Sequence, residues 1–163
     1  MDQSIKQSFG EAAISTPTDR EIRTDRVFDA TRDRVWRAFT DPELIARWWA
    51  RGNELIIERM EVERGGHWRF VERSADGIHG FEGRYREVTP PQRLVWTFEW
   101  DGMPGYVAVE TASFEDLGDG RTRVVTTTLF HTMEERESML NSGMEQGMNQ
   151  SYAALDALLA EVV

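Results

Sequence analysis

The chain has 163 residues, a length typical of one domain that is large enough to bury a core and still enclose a cavity. Its net charge of −10 argues against nucleic acid and against anionic membrane surfaces as partners, because both attract clustered Lys and Arg side chains. It contains no cysteine, which excludes disulfides, thiolate catalysis and Cys-ligated zinc.

The N-terminal segment, residues 1–19, is polar and shows no periodicity. It has no apolar run of the kind found in a signal peptide. No stretch of the chain reaches the roughly 18 apolar residues of a membrane span. We therefore expect a disordered tail over residues 1–19, one folded domain over residues 20–163, a cytoplasmic location and no membrane association.

The folded region opens with a strand and two short helices. Residues 20–30 alternate between apolar and polar side chains, which predicts the strand. The first helix is expected to follow Thr31. The second is expected at Asp41 and Pro42, because Asp is a preferred N-cap and Pro fits the first helical turn.

Six further strands are predicted between residues 54 and 131, where apolar and polar residues alternate and Gly, Asp or Pro interrupts each run. The clearest strand carries Leu94, Trp96, Phe98 and Trp100 on one face, and such a face requires a deep core or a pocket to cover it. The predicted strands are 54–61, 67–73, 78–88, 94–100, 105–117 and 121–131.

The period changes after residue 131. Thr132 and Glu135 fit a capping box, and apolar residues then recur every three or four positions, which predicts one long helix to the end of the chain. Gly143 and Gly147 lie one turn apart on it and predict a groove for close packing or for a ligand. The fold class is therefore α+β: a seven-stranded antiparallel sheet, two short helices after its first strand, and a long C-terminal helix that covers the sheet.

Several motifs in this order carry a resemblance to a known family. They are Val27-Phe28-Asp29-Ala30, residues 33–43, Trp48-Trp49, Gly65-Gly66, Phe81-Glu82-Gly83, Pro90-Pro91-Gln92-Arg93-Leu94, and the final helix from Gly143 to Leu155. Together they resemble the helix-grip superfamily, also called START-like or SRPBCC, and within it the branch named after the activator of the heat-shock-protein-90 ATPase. The resemblance implies a curved sheet wrapped on the last helix. It implies no single function, because the superfamily hosts lipid carriers, hormone binders, polyketide cyclases and co-chaperones.

A sheet that curves away from its helix leaves space for a ligand, and aromatic side chains are the expected walls. Any one of these residues is also compatible with plain core. The family's closing helix often carries Trp where this chain has Met144 and Met148, which predicts a softer wall. The expected lining residues are Trp48, Trp49, Phe70, Phe81, Trp96, Phe98, Trp100, His131, Met144, Met148 and Tyr152.

The sequence assigns no catalytic residue. The three histidines lack metal-ligand spacing, so we expect no metal and no cofactor. Polar strand residues are expected to pair on the solvent face, but one that points inward would mark a ligand anchor or an acid–base group. Because β-bulges change which face a residue occupies, the pattern does not identify that residue. The candidates are Arg69, Glu72, Arg84, Tyr85, Glu99 and Glu110.

Three functions are compatible with these patterns. The main hypothesis is binding of a hydrophobic or aromatic small molecule in the cavity, with the ligand unidentified. One alternative is a cyclase, dehydratase or hydrolase acting on an aromatic or polyketide substrate, although the pattern leans against an enzyme. The other is a co-chaperone-like interaction domain that binds a chaperone through its acidic helix. A homodimer is also an open alternative.

Overall fold

The computed structural model of the protein describes residues 12–161. Its strands are β1 (Ala13–Ser15), β2 (Glu21–Phe28), β3 (Glu54–Met60), β4 (His67–Ser74), β5 (Gly77–Thr89), β6 (Arg93–Trp100), β7 (Val107–Asp116) and β8 (Thr122–Leu129). Its helices are α1 (Arg32–Thr40), α2 (Pro42–Ile45), α3 (Met133–Leu140) and α4 (Met144–Leu159). The strands form one antiparallel sheet in the order β1-β2-β8-β7-β6-β5-β4-β3.

The predicted α+β class and the seven predicted strands are confirmed, but the strand count is wrong by one. The eighth strand, β1, pairs with β2 through Ala13 opposite Asp25 and Ile14 opposite Thr24. It lies in the segment that the sequence assigns to the tail, because three residues are too few to show alternation. The predicted disorder of residues 1–11 lies outside the described residues.

The predicted closing helix is wrong as a single element, because it is divided into α3 and α4. Gly143 adopts a φ of 82°, a left-handed conformation that ends helical geometry and that glycine accepts without a Cβ clash. Asn141 and Ser142, which precede it, also favour turns over helix interiors. The predicted two-glycine groove is therefore absent: Gly143 precedes α4, and only Gly147 lies within it.

The predicted helix starts are present. The Asp41 carboxylate accepts a hydrogen bond of 2.9 Å from the Glu43 backbone N–H and caps α2. The Thr132 hydroxyl accepts one of 3.1 Å from the Glu135 N–H and caps α3. Within residues 12–161, no helix combines the length and the apolar character needed to cross a membrane.

The C-terminal half of α4 packs directly against the sheet. The Tyr152 ring meets Phe28 of β2 edge to face, with centroids 5.2 Å apart, and Leu155 is completely buried. The α1 helix covers the neighbouring part of the sheet, where Trp36 meets Phe114 at 5.2 Å. These contacts fix one half of α4 and leave its other half over the remaining sheet.

A buried ion pair holds α4 in this position. Both terminal nitrogens of Arg26 on β2 donate to the Asp156 carboxylate at 2.7 and 2.6 Å. The guanidinium carbon also lies 4.6 Å from the centre of the Phe28 ring, which adds a cation–π contact. The Arg26 side chain is only 1% exposed, and these contacts compensate its charge.

We expect Asp156→Asn to lower the free energy of unfolding by about 2 kcal/mol, because it removes a charged hydrogen-bond acceptor from a buried guanidinium. Urea unfolding at neutral pH measures the change. The control is Glu161→Gln, which breaks the pair with Arg47, whose two side chains are about half exposed. That change is expected to cost below about 1 kcal/mol. Equal losses in the two variants would contradict a special role for the buried pair.

Candidate functional site

A cavity of about 240 Å³ lies between the sheet, the α1–α2 segment and α4. Six strands contribute to its walls, and α4 closes it with its N-terminal half. The lining residues are Thr24, Phe39, Ile45, Trp48, Trp49, Trp68, Phe70, Tyr85, Leu94, Trp96, Glu110, Thr126, Thr128, Met144, Met148, Ser151 and Tyr152.

The structure places seven of the eleven predicted lining residues at this cavity. These are Trp48, Trp49, Phe70, Trp96, Met144, Met148 and Tyr152. Phe81 and Phe98 lie outside the cavity lining. Their ring centroids are 5.5 Å apart, and the Phe81 ring packs against the Trp49 ring with a centroid distance of 5.2 Å. They share a sheet face with the lining residues but lie beyond the part that α4 covers.

The last two predicted lining residues, Trp100 and His131, lie away from the cavity. Trp100 ends β6, borders a separate surface depression and packs against His79 at 5.8 Å. His131 follows the last strand and is exposed, and its backbone carbonyl accepts a hydrogen bond from Arg20. Alternation along a strand gives the face of a residue but not its distance from the covering helix, which explains the position of Trp100. His131 lies away from the cavity because β8 ends before it, at Leu129.

Two tryptophans of the cavity wall have their indole N–H groups hydrogen-bonded within the protein. The Trp48 indole N–H donates to the Ala38 carbonyl at 2.9 Å, and the Trp68 indole N–H donates to the Thr97 carbonyl at 3.1 Å. Trp49 meets Phe70 edge to face at 5.3 Å. The cavity therefore borders ring surfaces whose orientation is set by the protein itself.

The segment that carries Trp48 and Trp49 is hydrogen-bonded both to α4 and to the sheet. The Ser151 hydroxyl of α4 donates to the Trp49 carbonyl at 3.0 Å. Arg51 donates to both carboxylate oxygens of Glu72, a β4 residue that is only 1% exposed. Gly147 gives room for this arginine, because a Cβ there would lie 3.0 Å from its Cδ.

A row of polar and aromatic residues crosses the cavity floor. Strand register places Thr128 opposite Glu110, Glu110 opposite Trp96, and Trp96 opposite Tyr85. Residues in register on adjacent strands lie side by side on the same face. The row therefore carries a carboxyl group into the otherwise mainly apolar wall.

Of the six polar strand residues that the sequence left as inward-pointing candidates, Tyr85 and Glu110 line the cavity, and Glu110 is the one with a carboxyl group. Burial raises the pKa of its carboxyl from 4.5 to about 7, although hydrogen bonds from the Thr128 hydroxyl and the Trp96 indole lower it in part. The Thr128 Oγ1 to Glu110 Oε1 distance is 3.3 Å. A signal was present in the sequence, because Glu110 shares the parity of Ala112 and Phe114, which are both buried.

A second polar group lies beside this row. The Tyr152 phenol oxygen forms hydrogen bonds with the hydroxyls of Thr126 and Thr24. Burial is the main reason that the pKa of Tyr152 is raised, and the negative charge of Glu110 adds to the effect. Together with Thr128, these residues make a polar band across β2, β8 and β7 at one side of the cavity.

The cavity carries one acidic group. Among the described residues that line it, Glu110 is the one carboxylate, and there is no Lys, Arg or His. Within the described part of the chain, no group of three or more His, Cys, Asp or Glu side chains is arranged to hold a metal ion. The arrangement can accept hydrogen bonds or a proton at Glu110 and can pack aromatic groups elsewhere.

The family model described as Activator of Hsp90 ATPase homolog 1-like protein matches residues 29–160, which is most of the chain. No curated protein matches the chain.

Solved bacterial structures share the fold. One, from Rhodobacter sphaeroides, is 28% identical, with a TM-score of 0.86 over 93% of this chain and 99% of that one. Another, from Chromobacterium violaceum, is 25% identical, with a TM-score of 0.77 over 89% and 100%. A third, from Mycobacterium smegmatis, is 17% identical, with a TM-score of 0.81 over 93% and 98%, and supports the fold alone.

We expect Glu110, which is half-buried in the cavity wall, to make stability depend on pH. Because its folded pKa of about 7 exceeds its ordinary value of 4.5, the folded state binds this proton more tightly than the unfolded chain does. Stability therefore falls as the pH rises from 4.5 to about 7. Urea unfolding should show the wild type losing about 2 kcal/mol relative to Glu110→Gln between pH 5 and pH 8. Parallel pH profiles for the two proteins would refute the shifted pKa.

Proposed function

We propose a function on the premise that this chain belongs to the family of Activator of Hsp90 ATPase homolog 1-like proteins. A domain of this fold supports ligand binding or a co-chaperone-like role in general. For this chain we propose the first: it binds a small aromatic or other apolar molecule in the cavity between its sheet and α4. The observation that carries the proposal is the aromatic-walled cavity itself.

The volume of the cavity limits the size of the ligand. At about 240 Å³, it exceeds the engineered apolar cavity of about 150 Å³ that takes up benzene. It is smaller than the roughly 300–1,000 Å³ of pockets for drug-sized ligands. A molecule with one or two rings therefore fits the volume, whereas a whole lipid or a long polyketide requires the walls to move.

The character of the walls also supports binding. The rings of Trp48, Trp49 and Phe70 are held by contacts within the protein, so little side-chain freedom is lost when a ligand enters. Met144 and Met148 form the opposite wall on α4, and their flexible thioether side chains adapt to differently shaped ligands. A rigid wall facing an adaptable one favours a flat apolar molecule.

Glu110 favours a second candidate function, which is proton transfer to or from the bound molecule. A carboxyl group with a pKa of about 7 both accepts and releases a proton efficiently near neutral pH. Such an enzyme would belong with the cyclase, dehydratase or hydrolase alternative. It would lose turnover in Glu110→Gln while keeping affinity for an apolar substrate, and this pair of measurements separates it from a pure binding protein.

The binding proposal predicts that toluene and benzyl alcohol change the tryptophan fluorescence of the protein in a saturable way. Four of the six tryptophans line the cavity, and these compounds do not absorb where tryptophan is excited. Met148→Trp should weaken toluene binding by roughly tenfold or more, since the larger side chain fills the cavity. Thermal unfolding of the same variant checks that it remains folded.

The matched control is Gln150→Trp, which adds the same side chain to α4 at an exposed position. It should leave toluene affinity within about twofold of the wild type, since no contact with the cavity is altered. Equal loss of affinity in both variants, or no saturable response of the wild type to either compound, would overturn the proposal.

A further inference from the structure

We propose that the cavity selects small aromatic or cyclic amines, bound as cations with the ammonium group on the Glu110 carboxylate and the ring between the tryptophan and methionine walls. The inference rests on the proposed binding function and adds the chemical class of the ligand. It is carried by the position of one carboxylate among aromatic rings.

Charge favours a cationic ligand. Within the described part of the chain, Glu110 is the only carboxylate that lines the cavity, and no lining residue carries a positive charge. An anionic ligand would therefore enter a weakly solvated space beside the ionised Glu110 and without a counter-ion, which is strongly unfavourable. Carboxylates, phosphates and fatty acids are disfavoured on this ground when Glu110 is ionised, whereas a cation is attracted.

Glu110 has hydrogen-bonding capacity left for a ligand. An ionised carboxylate offers about four acceptor positions. Thr128 and Trp96 each donate to it from the neighbouring strands. Acceptor positions therefore remain for a ligand, and an ammonium group, with three donors, supplies both the hydrogen bonds and the opposite charge.

The aromatic walls present a surface that attracts cations. The indole N–H groups of Trp48 and Trp68 are already bound to backbone carbonyls, so the cavity borders ring atoms of these residues. The faces of aromatic rings carry negative partial charge and attract a nearby cation, most strongly in tryptophan. This contact offsets part of the free energy needed to remove water from an ammonium ion.

The surrounding charged and titratable groups leave this role to Glu110. Tyr152 faces it from α4, and the phenol oxygen is engaged by the hydroxyls of Thr24 and Thr126. The guanidinium carbon of Arg26 on β2 lies 5.9 Å from the centre of the Tyr152 ring, and this side chain forms an ion pair with Asp156. Among the described residues, no guanidinium or imidazole lines the cavity to neutralise the Glu110 carboxylate.

Four compounds that share one ring test the inference: benzylamine, benzyl alcohol, toluene and benzoate. At pH 8, we expect benzylamine to bind the wild type at least tenfold more tightly than benzyl alcohol, and benzoate to bind more weakly than toluene. In Glu110→Gln, the preference for benzylamine over benzyl alcohol should fall to about twofold or less, while toluene affinity is retained. Calorimetric or fluorescence titration gives each dissociation constant.

The pH dependence supplies a second readout. Benzylamine remains a cation from pH 6 to pH 8, whereas the ionised fraction of Glu110 rises about tenfold for a pKa near 7. Benzylamine affinity for the wild type should rise by about the same factor, with proton release on binding, and toluene affinity should not. The matched control is Glu145→Gln, which removes an exposed carboxylate from α4 outside the cavity lining and should keep the amine preference.

The outcomes separate the two proposals. If toluene binds but benzylamine has no advantage, or keeps its advantage in Glu110→Gln, the amine inference is wrong and the binding function stands. If no compound binds, toluene included, the binding function is wrong and the inference falls with it. If Glu110→Gln does not fold, the pH dependence of benzylamine binding to the wild type decides between amine selectivity and general apolar binding.

Discussion

A sheet of eight strands is far wider than the helix that closes it. Seven inter-strand spacings of roughly 4.8 Å span about 34 Å, whereas a helix with its side chains is roughly 10 Å across. The α1 and α4 helices together therefore leave part of the inner face uncovered. The cavity is the space that remains, and the identity of the residues on the uncovered strands decides what it can hold.

The attachment of α4 determines where this space lies. Its C-terminal half is fixed by the Arg26–Asp156 pair, by Tyr152 against Phe28 and by the buried Leu155. Its N-terminal half is bordered by the cavity, and the chain breaks from helical geometry just before it, at Gly143. Anchoring one end of the helix and interrupting the other places the adaptable Met144 and Met148 at the edge of the packed core, where they border the cavity.

Sequence patterns predicted the individual strands and helix starts of this fold better than the pairing and packing between them. Alternation located seven strands, and N-cap preferences located the capping residues Asp41 and Thr132, because these signals are local. It could not locate β1, whose order depends on pairing with β2. It also could not separate Trp96, which lines the cavity, from Trp100, which does not, since that difference depends on where α4 crosses the strand. The inward direction of Glu110 could be predicted, because Glu110 and Ala112 lie on the same face of β7. It was not singled out, because a lone carboxyl group on a strand is usually solvated.

Under the proposed binding function, the half-buried Glu110 carboxyl would link stability to ligand choice. Ionising Glu110 in the empty cavity is unfavourable, as the rise of its pKa to about 7 indicates, so the folded state would be more stable without this charge. A destabilising group amid an aromatic wall is expected where function requires it. A ligand that supplies a positive charge to Glu110 removes the penalty when it binds, and it does so only for the ionised protein. Proton release, ligand affinity and ligand-induced stabilisation are then three measures of the same interaction.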